Sequence, residues 1–105
     1  SDRKLFKSDG NIMAKEQTIV REFKVENKYG IHARPAALLV KVAGKFTCDI
    51  LIGKKGAEVS AKSIMGLLTI EGHQGAMLCV QAEGEDAEEA MAGIADLFEN
   101  KFFED

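Results

Sequence analysis

The chain has 105 residues and a formal net charge of −3, from 14 basic and 17 acidic side chains. That length fits one domain with a modest core, and with no long Lys/Arg run a nucleic-acid partner is a poor expectation. No signal peptide is recognisable and no apolar stretch approaches the ~20 residues of a transmembrane helix, so no membrane partner and a cytoplasmic location are expected.

Residues 1–12, SDRKLFKSDGNI, are polar and aperiodic, whereas MAKEQTIVREF from Met13 reads like a natural protein start. Residues 1–12 are therefore expected to be a disordered extension, and 13–105 a single domain. Thr18 to Val25 predicts a strand, with Phe23 and Val25 alternating with Glu22 and Lys24. Asn27-Lys28-Tyr29-Gly30 is a loop. A helix is predicted from Ala33 to Ala43, because Ala36, Leu39, Val40 and Ala43 share one face while Arg34, Lys41 and Lys45 lie off it. Pro35 is tolerated in a first turn, so this helix begins at or just after His32.

Phe46, Cys48, Ile50 and Ile52 alternate with Thr47 and Asp49 and predict a second strand. The turn Gly53-Lys54-Lys55-Gly56 and a return strand over Ala57–Ser60 follow. Ser63 to Ile70 predicts a short helix with Ser63 as N-cap, and Met77 to Ala82 a last strand with Leu78, Val80 and Ala82 on one face. Asp86 reads as the N-cap of a final helix, with Glu89 completing a variant capping box. Its apolar stripe is Ala87, Ala90, Met91, Ile94, Leu97 and Phe98. The order β-α-β-β-α-β-α predicts an α+β fold, an antiparallel sheet with helices on one face.

Cys48 and Cys79 sit in separate apolar runs without metal-ligand spacing, so buried reduced thiols are expected and a metal site is not. His73 lies in a glycine-flanked loop and reads as an exposed surface residue. His32 carries the chemistry. Imidazole is a good nucleophile near neutral pH. A helix start offers unbonded backbone N–H groups that favour a phosphoryl anion, and its dipole is expected to depress the pKa of His32. Arg34 adds a charged, forked donor for phosphate oxygens. On these features alone, a histidine at a helix start is more often a plain polar surface residue.

The run Gly30-Ile31-His32-Ala33-Arg34-Pro35-Ala36 resembles the active-site motif of the HPr family, the histidine-containing phosphocarriers of the phosphoenolpyruvate-dependent sugar phosphotransferase system. Lys62-Ser63-Ile64-Met65-Gly66 resembles that family's regulatory-serine motif. The spacing between the motifs, the strand order and Glu83-Gly84-Glu85-Asp86 are also similar, over about residues 18–99. The resemblance implies an open-faced β-sandwich with a four-stranded sheet in the order 1-4-2-3 and three helices on one side.

It also implies a function without enzyme turnover and without a cofactor. Enzyme I would phosphorylate Nδ1 of His32, Arg34 would hold the phosphate, and IIA domains of sugar transporters would accept the group. An HPr kinase would modify Ser63. Ile64, Met65 and Leu68 would form an apolar docking patch, although Ile64 and Leu68 could equally be core. Lys41 and Lys45 would steer an acidic partner. A monomer is expected. Three other readings stand beside this one: a regulatory binding module of the same fold, a nitrogen-branch phosphocarrier, and a metal or redox protein built on His32, His73, Cys48 and Cys79.

Overall fold

The computed structural model of the protein describes residues 17–104. The expected extension over residues 1–12 lies outside them. Four strands form one antiparallel sheet: β1 Gln17–Lys24, β2 Asp49–Gly53, β3 Val59–Ser60 and β4 Met77–Gly84. Their spatial order is β1-β4-β2-β3, as the resemblance implies. The helices are α1 Ala33–Ala43, α2 Ile64–Leu67 and α3 Ala87–Glu99, followed by a one-turn 3-10 segment over Lys101–Phe103.

The strand alternation divides the sheet into two faces. Phe23 pairs with Leu78, and Ile50 and Ile52 with Ala82 and Val80. All six are buried, and they face the apolar stripe of α3 and the Ala36, Leu39 and Ala43 side of α1. Val20 and Leu51 both pair with Gln81 and stand exposed on the other face. Such one-sided burial specifies register, because a one-residue slip would turn each apolar set outward.

The helix predicted over Ala33–Ala43 has those bounds. Four expectations need correction. The second strand begins at Asp49 rather than Phe46, because the Asp86 carboxylate takes the Thr47 N–H at 2.8 Å and the Cys48 N–H at 2.9 Å. Those donors serve a bend instead of a ladder. For the same reason Asp86 makes no side-chain bond to its own helix, and the expected capping box does not form. Thirdly, α2 stops at Leu67, three residues short of the expected end at Ile70, with Ser63 as its cap. Beyond it the Thr69 and Ile70 N–H groups reach Gly66 O and Leu67 O, three residues back. The Thr69 hydroxyl also donates to Gly66 O at 2.6 Å, tightening the turn. The return strand is likewise short, because the Ala57 N–H closes the hairpin turn on Lys54 O.

The Asp86 clamp also sets local electrostatics. Its carboxyl is held below the usual carboxylate range, chiefly by the Thr47 N–H, against an opposing contribution from burial. The Cys48 thiol is pushed up to about 11 by burial and then by the neighbouring Asp86. Cys48 and Cys79 are both buried and unpaired.

Candidate functional site

The loop before α1 is built to hold one imidazole. Gly30 adopts φ +68°, and a Cβ there would lie 2.2 Å from Gly72 O, so neither the conformation nor the space admits a side chain. The next N–H, that of Ile31, donates to the same Gly72 O at 2.9 Å, and the Ile31 side chain is buried. Asn27, only 1% exposed, donates through Nδ2 to Gly30 O at 2.8 Å. These ties deliver His32 at the N-cap of α1 in an extended conformation.

The His32 side chain does not cap its helix. The Ala33 and Arg34 N–H groups at the helix start have no intrahelical partners, and Pro35 has no N–H. Instead, His32 Nε2 meets the Glu104 carboxylate, 2.9 Å from Oε2 and 3.2 Å from Oε1. A carboxylate only accepts, so Nε2 carries a proton in this contact, and in the neutral ring the free lone pair is then on Nδ1. Nδ1 has no hydrogen-bond partner among the described residues. The His32 side chain is 40% exposed and that of Glu104 only 14%. The exposed ring of Tyr29 stands edge-on to the imidazole, with centroids 6.2 Å apart.

Glu104 reaches the site through an unusual chain end. Lys101, Phe102 and Phe103 have φ of 52°, 55° and 59°, a left-handed turn that costs roughly 1–2 kcal/mol per residue for side chains other than glycine. The fully buried Phe102 ring offsets this by packing edge-on to Phe98, whose ring stacks on Phe23 at 4.7 Å. The Phe103 and Glu104 N–H groups close the turn on Asn100 O and Lys101 O. Asn27 Nδ2 then also donates to Glu104 Oε1 at 3.0 Å, fixing the carboxylate.

The other residues singled out by sequence take these places. Arg34 is exposed in the first turn of α1, with no hydrogen bond or ion pair among the described residues. Its guanidinium therefore stands without a partner two residues beyond His32. Lys41 is exposed in the last turn of the same helix, and Lys45 is exposed just past its Gly44 C-cap. Ser63 caps α2, its Oγ accepting the Gly66 N–H at 3.1 Å. Beside it Ile64, Met65 and Leu68 are exposed, Met65 most of all at 73%, while Leu67 alone anchors α2 in the core. His73 is exposed in its loop.

Sequence reasoning missed Asn27, Tyr29 and Glu104. Asn27 and Tyr29 read only as loop residues, and Glu104 lies 72 positions from His32 with no local signal to join them. Among the described residues, no group of three or more His, Cys, Asp or Glu side chains could hold a metal ion, and no helix is long and apolar enough to cross a membrane.

Comparison with known proteins places this geometry in a family. The family model described as "PTS HPr component phosphorylation site" matches residues 19–100, which include His32 and Ser63. The chain is 45% identical over 84 residues to the phosphocarrier protein HPr of Xylella fastidiosa strain Temecula1, covering 80% of this chain and 94% of that protein. It is 40% identical over 83 residues to the HPr-like protein Crh of Halalkalibacterium halodurans, covering 79% of this chain and 99% of that one. The crystal structure of an HPr from Thermoanaerobacter tengcongensis superposes with a TM-score of 0.74 at 46% identity, over 87% of this chain and 98% of that one. The chain belongs to the HPr family, the histidine-containing phosphocarriers of the sugar phosphotransferase system.

Proposed function

We propose that this protein accepts a phosphoryl group on Nδ1 of His32 from phosphorylated Enzyme I and passes it to IIA domains. The observation that carries this reading is the bare Nδ1 at an open helix start, opposite an Nε2 tied to Glu104. The Nδ1 lone pair attacks phosphorus, the donor's bond to phosphorus breaks, and its electron pair leaves with the donor atom. The proton on Nε2 stays where it is. The phosphate oxygens meet the free Ala33 and Arg34 N–H groups and the exposed Arg34 guanidinium, an arrangement suited to positioning and electrostatic stabilisation. The chain turns over nothing alone and works in the cytoplasm as a monomer.

The exposed Ile64, Met65 and Leu68 supply an apolar docking patch, and Lys41 and Lys45 steer acidic partners towards it. Phosphorylation of Ser63 by an HPr kinase adds nearly two negative charges beside that patch. The modified residue keeps an acceptor oxygen for the Gly66 N–H, so α2 persists while docking on an acidic surface weakens. The similarity to Crh supports a second reading, a regulatory binding module.

Incubation with active Enzyme I, Mg²⁺ and phosphoenolpyruvate, followed by intact mass measurement, tests the carrier reading. One acid-labile phosphoryl group is expected on the wild type and none on His32→Ala. An unmodified wild type would overturn the carrier reading and leave the binding module.

A further inference from the structure

One face of the sheet carries no second layer. The helices cover the side that holds Phe23, Ile50 and Leu78, and the register places the alternate residues on the other side. There Val20 and Leu51 flank Gln81 in one row, and Met77 stands two residues from Cys79 on the interior strand β4. Val20, Leu51 and Met77 are exposed. Cys79 is buried although it lies outside the core cluster, so its neighbours close over it. Exposed apolar side chains gathered across three strands, rather than scattered singly, mark a surface for a partner.

Charge says which partner. Glu22, Asp49 and Glu83 lie on the same face in the rows either side of Gln81, with Lys24 as the base at one corner. Asp49 and Glu83 stand directly opposite each other, a pairing of like charges that weakens the ladder and that an incoming cation relieves. With Leu51, Ser60, Gln81 and Lys62 they line a hollow of about 280 Å³. The Lys62 ammonium is engaged elsewhere, donating to Phe46 O at 2.7 Å. On the other side of the sheet α1 has the opposite character, with Arg34 and Lys41 and no acidic residue. A flat face three strands wide takes a helix as its cover, whereas an added strand pairs only at an edge.

We infer that the open face of the sheet docks a basic amphipathic helix of a partner protein. The apolar stripe of that helix lies on Val20, Leu51 and Met77, and a Lys or Arg enters the hollow between Asp49 and Glu83. Because α1 stands on the opposite side of the sheet, an acidic partner at His32 and a basic partner here use different surfaces. The docking does not depend on the carrier reading.

Titration of the isotope-labelled full chain with a synthetic helix, a leucine stripe flanked by lysines, tests this through amide chemical shifts. Shifts are expected at Val20, Leu51, Gln81 and Glu83, diminishing as salt is raised, and none from the same helix made with glutamates. Leu51→Lys is expected to weaken binding roughly tenfold, and Asp49→Asn, which removes a charge at constant size, roughly threefold. Circular dichroism checks that both variants keep the fold. No response to the lysine helix would overturn the inference, as would equal binding of the glutamate helix or unchanged affinity in folded variants. A response centred on Ile64, Met65 and Leu68 would also overturn it. So would two results from the chain alone. Leu51 shifts that grow with concentration would assign the face to a second copy, and nuclear Overhauser contacts from residues 1–12 to Leu51 would assign it to the chain itself.

Discussion

The starts of α1 and α2 are built to opposite ends. At α2 the N-cap side chain turns inward, and the Ser63 hydroxyl takes the Gly66 N–H. At α1 the N-cap side chain turns away: His32 engages Glu104, and the first backbone donors of the helix stay open. A capped start is a finished structure, stabilised by about 1 kcal/mol. An uncapped one leaves donors and dipole directed at whatever anion arrives. Both starts lie in motifs that resemble phosphorylation sites, yet only α1 presents an unbonded nucleophilic atom together with vacant anion-binding donors. At α2 a phosphoryl group would be added to an oxygen already engaged in holding the helix.

Converting one start into the other breaks the comparison most severely. His32→Ser gives α1 a capping hydroxyl and removes the imidazole. Phosphoryl acceptance from Enzyme I should vanish, while stability, read by urea unfolding, should stay within ~1 kcal/mol of wild type, because the new cap offsets the lost Glu104 contact. Next in size, Arg34→Ala removes the unconstrained guanidinium. The transfer rate should fall by roughly a hundredfold, as for loss of one charge-stabilising donor, with the fold intact by circular dichroism.

Smaller still, Ser63→Ala opens α2. Denaturant unfolding should register a loss of about 1 kcal/mol, and the wild-type rate of acceptance on His32 should remain. A tenfold slower rate would mean that the two helix starts are coupled.

The third helix start offers the gentlest test. Asp86 serves the Thr47–Cys48 bend, and its carboxyl is held below the usual range. The stability it contributes is complete above the unfolded carboxyl's pKa and is lost as pH falls through the lower folded value. Asp86→Asn should therefore lower the melting temperature at neutral pH, and the gap to wild type should narrow at acid pH. At the alkaline end the Cys48 thiol, pushed up to about 11 from 9.0, works in the opposite sense. Between those values the unfolded chain releases a proton that the folded chain keeps, so stability falls as pH rises. Cys48→Ser should flatten that alkaline decline.

What the sequence made legible was what short-range pattern encodes. The 3.6-residue stripe delimits α1 at Ala33 and Ala43, and the Ser63 cap lies within three residues of the N–H it bonds. The elements that misled were those decided over long range. Asp86 has the residue type and position of a cap, but its carboxylate is taken by donors 38 and 39 residues away, and this both empties the cap and shortens β2. The α2 boundary was lost because Thr69 switches the hydrogen-bonding step, a competition that apolar periodicity does not register. His32 and Arg34 were legible because they are neighbours in a motif. Glu104 was not, because its reach to His32 depends on a left-handed turn by residues with no intrinsic preference for one.

The central claim is that the open start of α1, and not the capped start of α2, receives the phosphoryl group. Site-resolved mass spectrometry tests it most directly. The full chain would be phosphorylated with Enzyme I and phosphoenolpyruvate, then digested and mapped at alkaline pH, where a phosphoramidate survives. A single group on the peptide carrying His32, with Ser63 and His73 unmodified, is the predicted result. Label on Ser63 or His73 with His32 bare would contradict the account.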